Sequence, residues 1–142
     1  MVRAVVDANV LFADRSRRDA FHDRASGIMD AVDRGDLPLV HVLSQNLMEA
    51  LASIQKNTTW GRAVETFQYL EDSKNIELVH PTESDQADGQ VIFLRERNLE
   101  LADAVTAAYM NRVGIEYVYS FDDDFDRFDT ITRLSTADNP YT

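Results

Sequence analysis

Cysteine is absent from this 142-residue chain, which excludes disulfides, thiolate metal sites and a cysteine nucleophile, and is compatible with a reducing compartment. No apolar run approaches the ~20 residues that cross a bilayer, and the first residues enter a strand-like pattern with no leader-like segment. The expectation is a cytoplasmic protein with no membrane association. Lysine is nearly absent as well: Lys56 and Lys74 are the only lysines among 14 basic residues, against 25 acidic ones, and the formal net charge is -11. Dispersed Asp and Glu with scarce Lys resembles the halophilic composition of salt-rich cytoplasm, where salt screens the repulsion within a hydrated acidic surface. The same acidity opposes nucleic-acid binding, because a negative protein field repels phosphate, and any nuclease reading has to overcome that repulsion.

There is no P-loop, no GxGxxG and no Ser-His-Asp arrangement. His22, His41 and His80 show no metal-ligand spacing. The length and an apolar share of 44% suit one domain with a real core. That domain is expected over residues 1–135, followed by a loose tail, 136–142.

Hydrophobic periodicity outlines the elements. Val2 to Val6 reads as a short buried strand ending at Asp7, and Leu39 to Leu43, Ile76 to Val79 and Glu116 to Phe121 read as three more. Ile131 to Leu134 is a candidate fifth. Helical spacing covers Asp19 to Arg34, a segment capped by Ser44 with a Leu47, Leu51, Ile54 stripe, then Trp60 to Asp72, Glu83 to Arg97 and Leu101 to Val113, with Gly114 as the left-handed residue after the last. Strands alternating with helices imply right-handed crossovers, hence a three-layer α/β/α fold around a mostly parallel sheet of four or five strands. Ligands of such sheets gather beyond the carboxyl ends of the strands, where Asp7 and Asp122 fall.

Several acidic residues stand out. Asp7 is flanked by apolar residues in Val5-Val6-Asp7-Ala8-Asn9-Val10, so its carboxylate needs donors or a counter-charge; capping the following helix and binding a ligand are both open to it. Asp103 is the only charge between Leu101 and Tyr109, where a first-turn Asp complements the helix dipole and small alanines permit a ligand to approach. Asp122-Asp123-Asp124-Phe125-Asp126 concentrates like charges after a strand, which calls either for a cation or for full solvation. Glu49 lies roughly 200° around the helical wheel from Leu47 and by itself reads as a solvated carboxylate. All-oxygen donors favour hard cations, Mg²⁺ or Mn²⁺, over zinc.

The ordered set Val6-Asp7-Ala8-Asn9-Val10, Glu49 in an early helix, Ala102-Asp103-Ala104 and Ser120-Phe121-Asp122-Asp123-Asp124-Phe125 resembles the PIN-domain nucleases over nearly the whole chain. The last motif matches that family's pattern at Ser120, Asp122, Asp124 and Phe125, and leaves Asp123 as the variable position. The resemblance implies that Asp7, Asp103 and Asp122 are principal metal ligands. It further implies that Glu49 binds metal or orients its water, that Asp124 completes the surroundings of a second ion, and that Asn9 and Ser120 are supporting polar residues. The activity it implies is metal-dependent hydrolysis of RNA by a two-metal mechanism. Size and motif style look most like VapC-type toxins of toxin–antitoxin pairs, which implies a homodimer and an antitoxin protein as partner, held through apolar anchors such as Trp60, Phe67 or Tyr69. Bound cations would reverse the local field, and Arg15, Arg17 and Arg18 are candidates for guiding the RNA backbone.

Two other readings use the same residues. Asp7-Ala8-Asn9-Val10-Leu11 resembles the strand-end motif of haloacid-dehalogenase phosphohydrolases, but Asn9 replaces the second aspartate and no lysine sits at a strand end. A catalytically silent PIN fold used as a binding module is the other.

Overall fold

The computed structural model describes residues 2–142; Met1, which the sequence reading includes in the domain, lies outside the described residues. Five strands, β1 (Arg3–Val6), β2 (Leu39–Leu43), β3 (Ile76–Val79), β4 (Tyr117–Tyr119) and β5 (Thr132–Leu134), form one sheet in the order β3-β2-β1-β4-β5. Every pairing is parallel. The sheet is therefore the expected one with the fifth strand present. The helices are α1 (Ala8–Arg15), α2 (His22–Asp33), α3 (Ser44–Asn57), α4 (Trp60–Asp72), α5 (Glu83–Arg95) and α6 (Leu101–Val113).

Both faces of the sheet are covered, as near-continuous apolar strands require. Ala4, Val6, Val40 and Val42 pack on one face with Val10, Leu11, Ile28 and Met29 of α1 and α2. Val5, Leu43 and Val118 point the other way, to Ala107, Tyr109 and Met110 of α6. The alternation along β1 places successive residues in different cores, which is the period-two geometry of a strand buried twice. Among the described residues no helix is long and apolar enough to cross a membrane.

Several boundaries differ from the periodicity: α2 begins at His22 and not Asp19, β4 keeps only Tyr117–Tyr119 of the expected Glu116 to Phe121, and three further differences concern the helices. α1 is a separate eight-residue helix immediately after β1, capped by Asp7, whose side chain accepts from the Ala8 N–H at 2.9 Å. A helix capped by Asp7 is among the expectations, but an apolar run so soon after a strand shows no period of its own and does not reveal where that helix ends. Ser44 is the first residue of α3 and not its cap; Leu43 takes the cap position with no side-chain bond. α5 ends at Arg95, before Asn98 adopts a positive φ of 62°. Gly114 does close α6 in the left-handed conformation, φ 75°. Beyond β5 the tail makes contacts back to the domain: the Tyr119 hydroxyl donates to Asp138 O at 2.7 Å, and Tyr141 meets Tyr117 edge-on at 5.3 Å.

α5 and α6 approach closely at Gly89. A Cβ there would lie 2.8 Å from Val105 Cα and 3.0 Å from Val105 N, so the backbone of α6 itself fills the space. Gly89→Ala gains about 1 kcal/mol of helix propensity but forces the two helices apart, for a net loss of about 1–2 kcal/mol. A lower urea midpoint at unchanged slope is the expected result; an unchanged or higher midpoint would show that the helices separate freely. The position matters for function because α6 carries Asp103.

Candidate active site

Strand order reverses between β1 and β4, which pair with each other while their connections run to opposite sides, and the crevice at their carboxyl ends is where such sheets bind ligands. Asp7 leaves β1 at this point. Ser120 follows β4 directly, and Asp122 comes two residues later. Asp103, on the first turn of α6, faces the same crevice: carboxylate oxygens of Asp103, Asp122 and Asp124 all lie within 4.8 Å of one another. Asp7 borders this tight group from behind.

One hydroxyl organises the strand ends. Ser120 is fully buried, donates to Asp7 Oδ2 at 2.8 Å and accepts the Asp122 N–H at 3.0 Å. Asn9 spans the same two strand ends, its amide reaching Ser120 Oγ at 3.2 Å and Asp7 Oδ2 at 3.3 Å while its Oδ1 accepts from Phe121 N at 3.2 Å. Asp122 in turn accepts the Asp124 N–H at 2.9 Å and so caps a 3-10 turn, Asp123–Arg127. Phe125, completely buried in the second core, anchors that turn. Aspartates that the sequence presents as one run are thereby sorted. Asp126 is held by Arg133 through paired bonds of 3.0 Å, and Asp124 also accepts from Arg127 at 2.9 Å.

The electrostatics show which carboxylates lack compensation. Asp85 is as buried as any, at 1% exposure, yet its pKa is lowered, because Arg112 grips both oxygens and the Thr82 capping box adds donors. Asp7 and Asp103, at 4% and 5% exposure, shift the opposite way. Burial raises Asp7 to about 6 despite its bonds from Ser120 and Ala8. Asp103 is raised to about 8, by burial first and then by repulsion from Asp7, Asp122, Glu100 and Glu49. No side-chain donor reaches Asp103 among the described residues, and a buried carboxylate in that condition is stabilised by protonation or by a cation.

Glu49 lies on the exposed side of α3, where its position on the helical wheel puts it, yet its carboxyl is raised by partial desolvation and by repulsion from Glu100 and Asp122. It therefore belongs to the rim of the same field. Glu100, the cap residue just before α6, adds to that field, and no motif in the sequence singles it out. Arg15, Arg17 and Arg18 stand apart from the carboxylates, at the far end of α1, in a cleft they share with Arg62, Asn57 and Thr58. Arg62 is the member no motif pointed to. Of the apolar anchors, Trp60 and Phe67 are exposed, at 69% and 36%, but Tyr69 packs against the core and donates its hydroxyl to Asp33 at 2.8 Å. A larger exposed set, Met48, Val91, Phe93, Leu94 and Leu101, lies on α3, α5 and α6.

Known proteins share this architecture. VapC20 of Mycobacterium tuberculosis, described as a toxin that cleaves the sarcin-ricin loop, superposes with a TM-score of 0.76 at 22% identity, over 87% of this chain and 92% of that one. A chain of the DNA-bound VapBC2 complex of Rickettsia felis gives 0.68 at 9% identity, over 94% and 98%. A chain of the DNA-bound VapBC complex of Salmonella typhimurium gives 0.66 at 14% identity, over 94% and 98%. At these identities the likeness is one of fold. Among curated protein sequences none matches the chain. The PIN domain family matches residues 4–131, nearly the full length, and this chain belongs to it.

Proposed function

We propose that the protein is a metal-dependent endoribonuclease and the toxin of a toxin–antitoxin pair. The observation that carries the proposal is the uncompensated carboxylate group at the β1–β4 crevice, set against Asp85, which the same fold buries with a cation supplied. Hard oxygen donors at this spacing fit Mg²⁺ or Mn²⁺. In this reading Asp7, Asp103 and Asp122 hold the metal, Asp124 completes the surroundings of a second ion, and Glu49 binds metal or orients its water. Bound there, divalent cations supply Lewis acidity toward a phosphodiester and toward the water that attacks it, and they reverse a field that otherwise repels RNA.

The protein's own contribution is position. Ser120 ties Asp7 to the backbone of Asp122, and Asn9 ties both strand ends together, so the two ligand-bearing segments keep one relative placement. Ser120→Ala removes that link without removing a charge. The expected result is a fold that survives and a loss of metal affinity or activity of roughly 10–100-fold, the usual effect of losing a residue that orients a ligand. Full activity at low metal concentration would show that Ser120 only fills space.

The decisive experiment is cleavage of single-stranded RNA in Mg²⁺ or Mn²⁺ against an EDTA control. Equal cleavage in EDTA would end the metal reading. The phosphohydrolase alternative has no support in the structure, since both lysines are exposed, Lys56 near the end of α3 and Lys74 in the turn before the edge strand β3. The homodimer and antitoxin proposed for this chain would be held by the exposed apolar side chains of α3, α5 and α6. The likeness to chains of VapBC complexes supports the antitoxin in that reading. Light scattering of the isolated protein tests it: a strict monomer that no neighbouring gene product binds would point to a PIN nuclease outside the toxin pairs.

A further inference from the structure

A groove runs between α1 and α3. Near the carboxylates it is lined by Asn9 and Phe12 of α1 and by Glu49 and Ser53 of α3. Two turns farther along α3 the lining becomes Asn57 and Thr58, facing Arg15, Arg17, Arg18 and Arg62. Glu49, Ser53 and Asn57 recur every four residues, so the two stretches lie along one face of α3. The groove is acidic at one end and carries four arginines at the other.

Those arginines are held for use and are poorly neutralised. Arg62 donates to Arg15 O at 3.3 Å, and the Arg15 guanidinium lies 4.7 Å from the Tyr69 ring centre, an arrangement that orients both. Arg15 Nε is buried with no hydrogen-bond partner. Its only acidic contact is Asp14 at 3.7 Å, and among the described residues no carboxylate pairs with Arg17, Arg18 or Arg62. In a chain of net charge -11 that exception is local and specific. Four guanidinium groups around one cleft, three of them without a carboxylate, call for an acceptor with several oxygens, which is what a phosphodiester offers.

We infer that this arginine cleft binds one backbone phosphate of the RNA, about two to three nucleotides from the bond that is cut, and so sets the register of the strand over the metal site. α1 fixes that spacing. At ~1.5 Å per residue Arg15 lies about 10 Å beyond Ala8, the distance covered by about three stacked nucleotides at ~3.4 Å each, or by fewer in an extended strand. The site also answers the repulsion that the overall charge poses, by concentrating positive charge where the strand leaves the metal-neutralised centre.

The inference rests on the ribonuclease reading, and the test separates the two. Binding of labelled single-stranded RNA is followed by anisotropy in Mg²⁺ over a salt series, for the parent, for Arg17→Ser/Arg18→Ser, for Arg62→Lys and for Arg34→Ser as a single-charge control outside the cleft. The double variant alters only exposed side chains and should fold. It should bind about tenfold or more weakly, with the slope of log affinity against log salt reduced by ~0.7 for the one lost phosphate. Arg62→Lys should retain part of the affinity, and Arg34→Ser all of it. In cleavage assays a single neutral methylphosphonate should raise KM at one position, two or three nucleotides from the cut, in the parent and not in the double variant. A parent that cleaves RNA while the cleft variants match it in affinity, slope and methylphosphonate profile overturns the inference and leaves the ribonuclease standing. A parent that binds RNA through the arginines but cleaves none overturns the ribonuclease and keeps the cleft. Polyglutamate is the competitor arm: loss of its binding in the double variant with RNA binding intact assigns the cleft to a protein partner and overturns the inference.

Discussion

Asp122→Asn and Asp7→Asn are each expected to reduce Mg²⁺- or Mn²⁺-dependent RNA cleavage by roughly a hundredfold or more while leaving the fold intact or slightly stabilised. An amide keeps the size and one oxygen of the carboxylate but loses the charge that holds a cation. At Asp7 the retained oxygen can still accept the Ala8 N–H, because Asn caps a helix about as well as Asp. The cap and the proposed metal ligand are the same side chain, and this substitution separates them: a purely structural Asp7 would leave activity near that of the parent. At Asp122 the oxygen facing the Asp124 N–H likewise survives. Asp123→Asn is the internal control, since Asp123 is outside the tight oxygen group and its neighbours retain their charges. The comparison is made on single-stranded RNA with thermal melts of every variant. Damage from the Asp123 change equal to that from Asp122, or parent-like activity of both Asp7→Asn and Asp122→Asn, would refute the assignment of roles.

Metal-free protein is expected to lose about 2 kcal/mol of stability between about pH 6.5 and 8.5, and added Mg²⁺ is expected to abolish most of that loss. The sign follows from the direction of the shift. Asp103 is raised in the folded state from 3.8 to about 8, so folding favours its protonated form, and the resulting stability is full at low pH and disappears as pH rises through about 8. Asp7 contributes in the same sense but lower, through about 6. Below about 6.5 His41 opposes both, since burial lowers its pKa and its neutral form is the stable one in the fold. Asp85 and Asp126 are lowered and act only near the acid end. Above about pH 6.5 Asp103 dominates, and about 1.5 pH units at about 1.4 kcal/mol each give the stated loss. Asp103→Asn should flatten the profile and raise metal-free stability at pH 8. Urea unfolding in EDTA at several pH values decides the matter: a flat or rising profile for the parent would mean that Asp103 is ionised in the metal-free fold and compensated by something other than metal.

The exposed apolar set on α3, α5 and α6 shows how one expectation moved. Tyr69 looks like an interface aromatic in sequence, but its ring packs on the core and orients Arg15, while Met48, Phe93 and Leu94 carry the exposed surface. A helical period tells which residues share a face and not which of two faces a neighbouring helix will cover.

The sequence by itself determined four strands and a candidate fifth, most helix limits and the placement of Asp7 and Asp122 at strand ends, because burial period and turn chemistry are local properties that neighbouring residues write together. Gly114 could be read as a helix stop for the same reason: only its own backbone is involved. The tertiary structure alone decided which charges are answered. Asp85 and Asp103 both sit in the first turn of a helix, and that position alone does not say which is compensated; Arg112 compensates one, and Asp7 and Asp122 oppose the other. Asp124 and Asp126 stand in one acidic run, and which arginine each receives is a matter of the folded loop: Arg127 bonds the first and Arg133 the second. Arg62 joins Arg15 from 47 positions away, and Ser120 meets Asp7 across 113. The energy of a buried charge is set by the few groups within several ångströms, and in a parallel sheet those groups come from crossovers far apart in the chain.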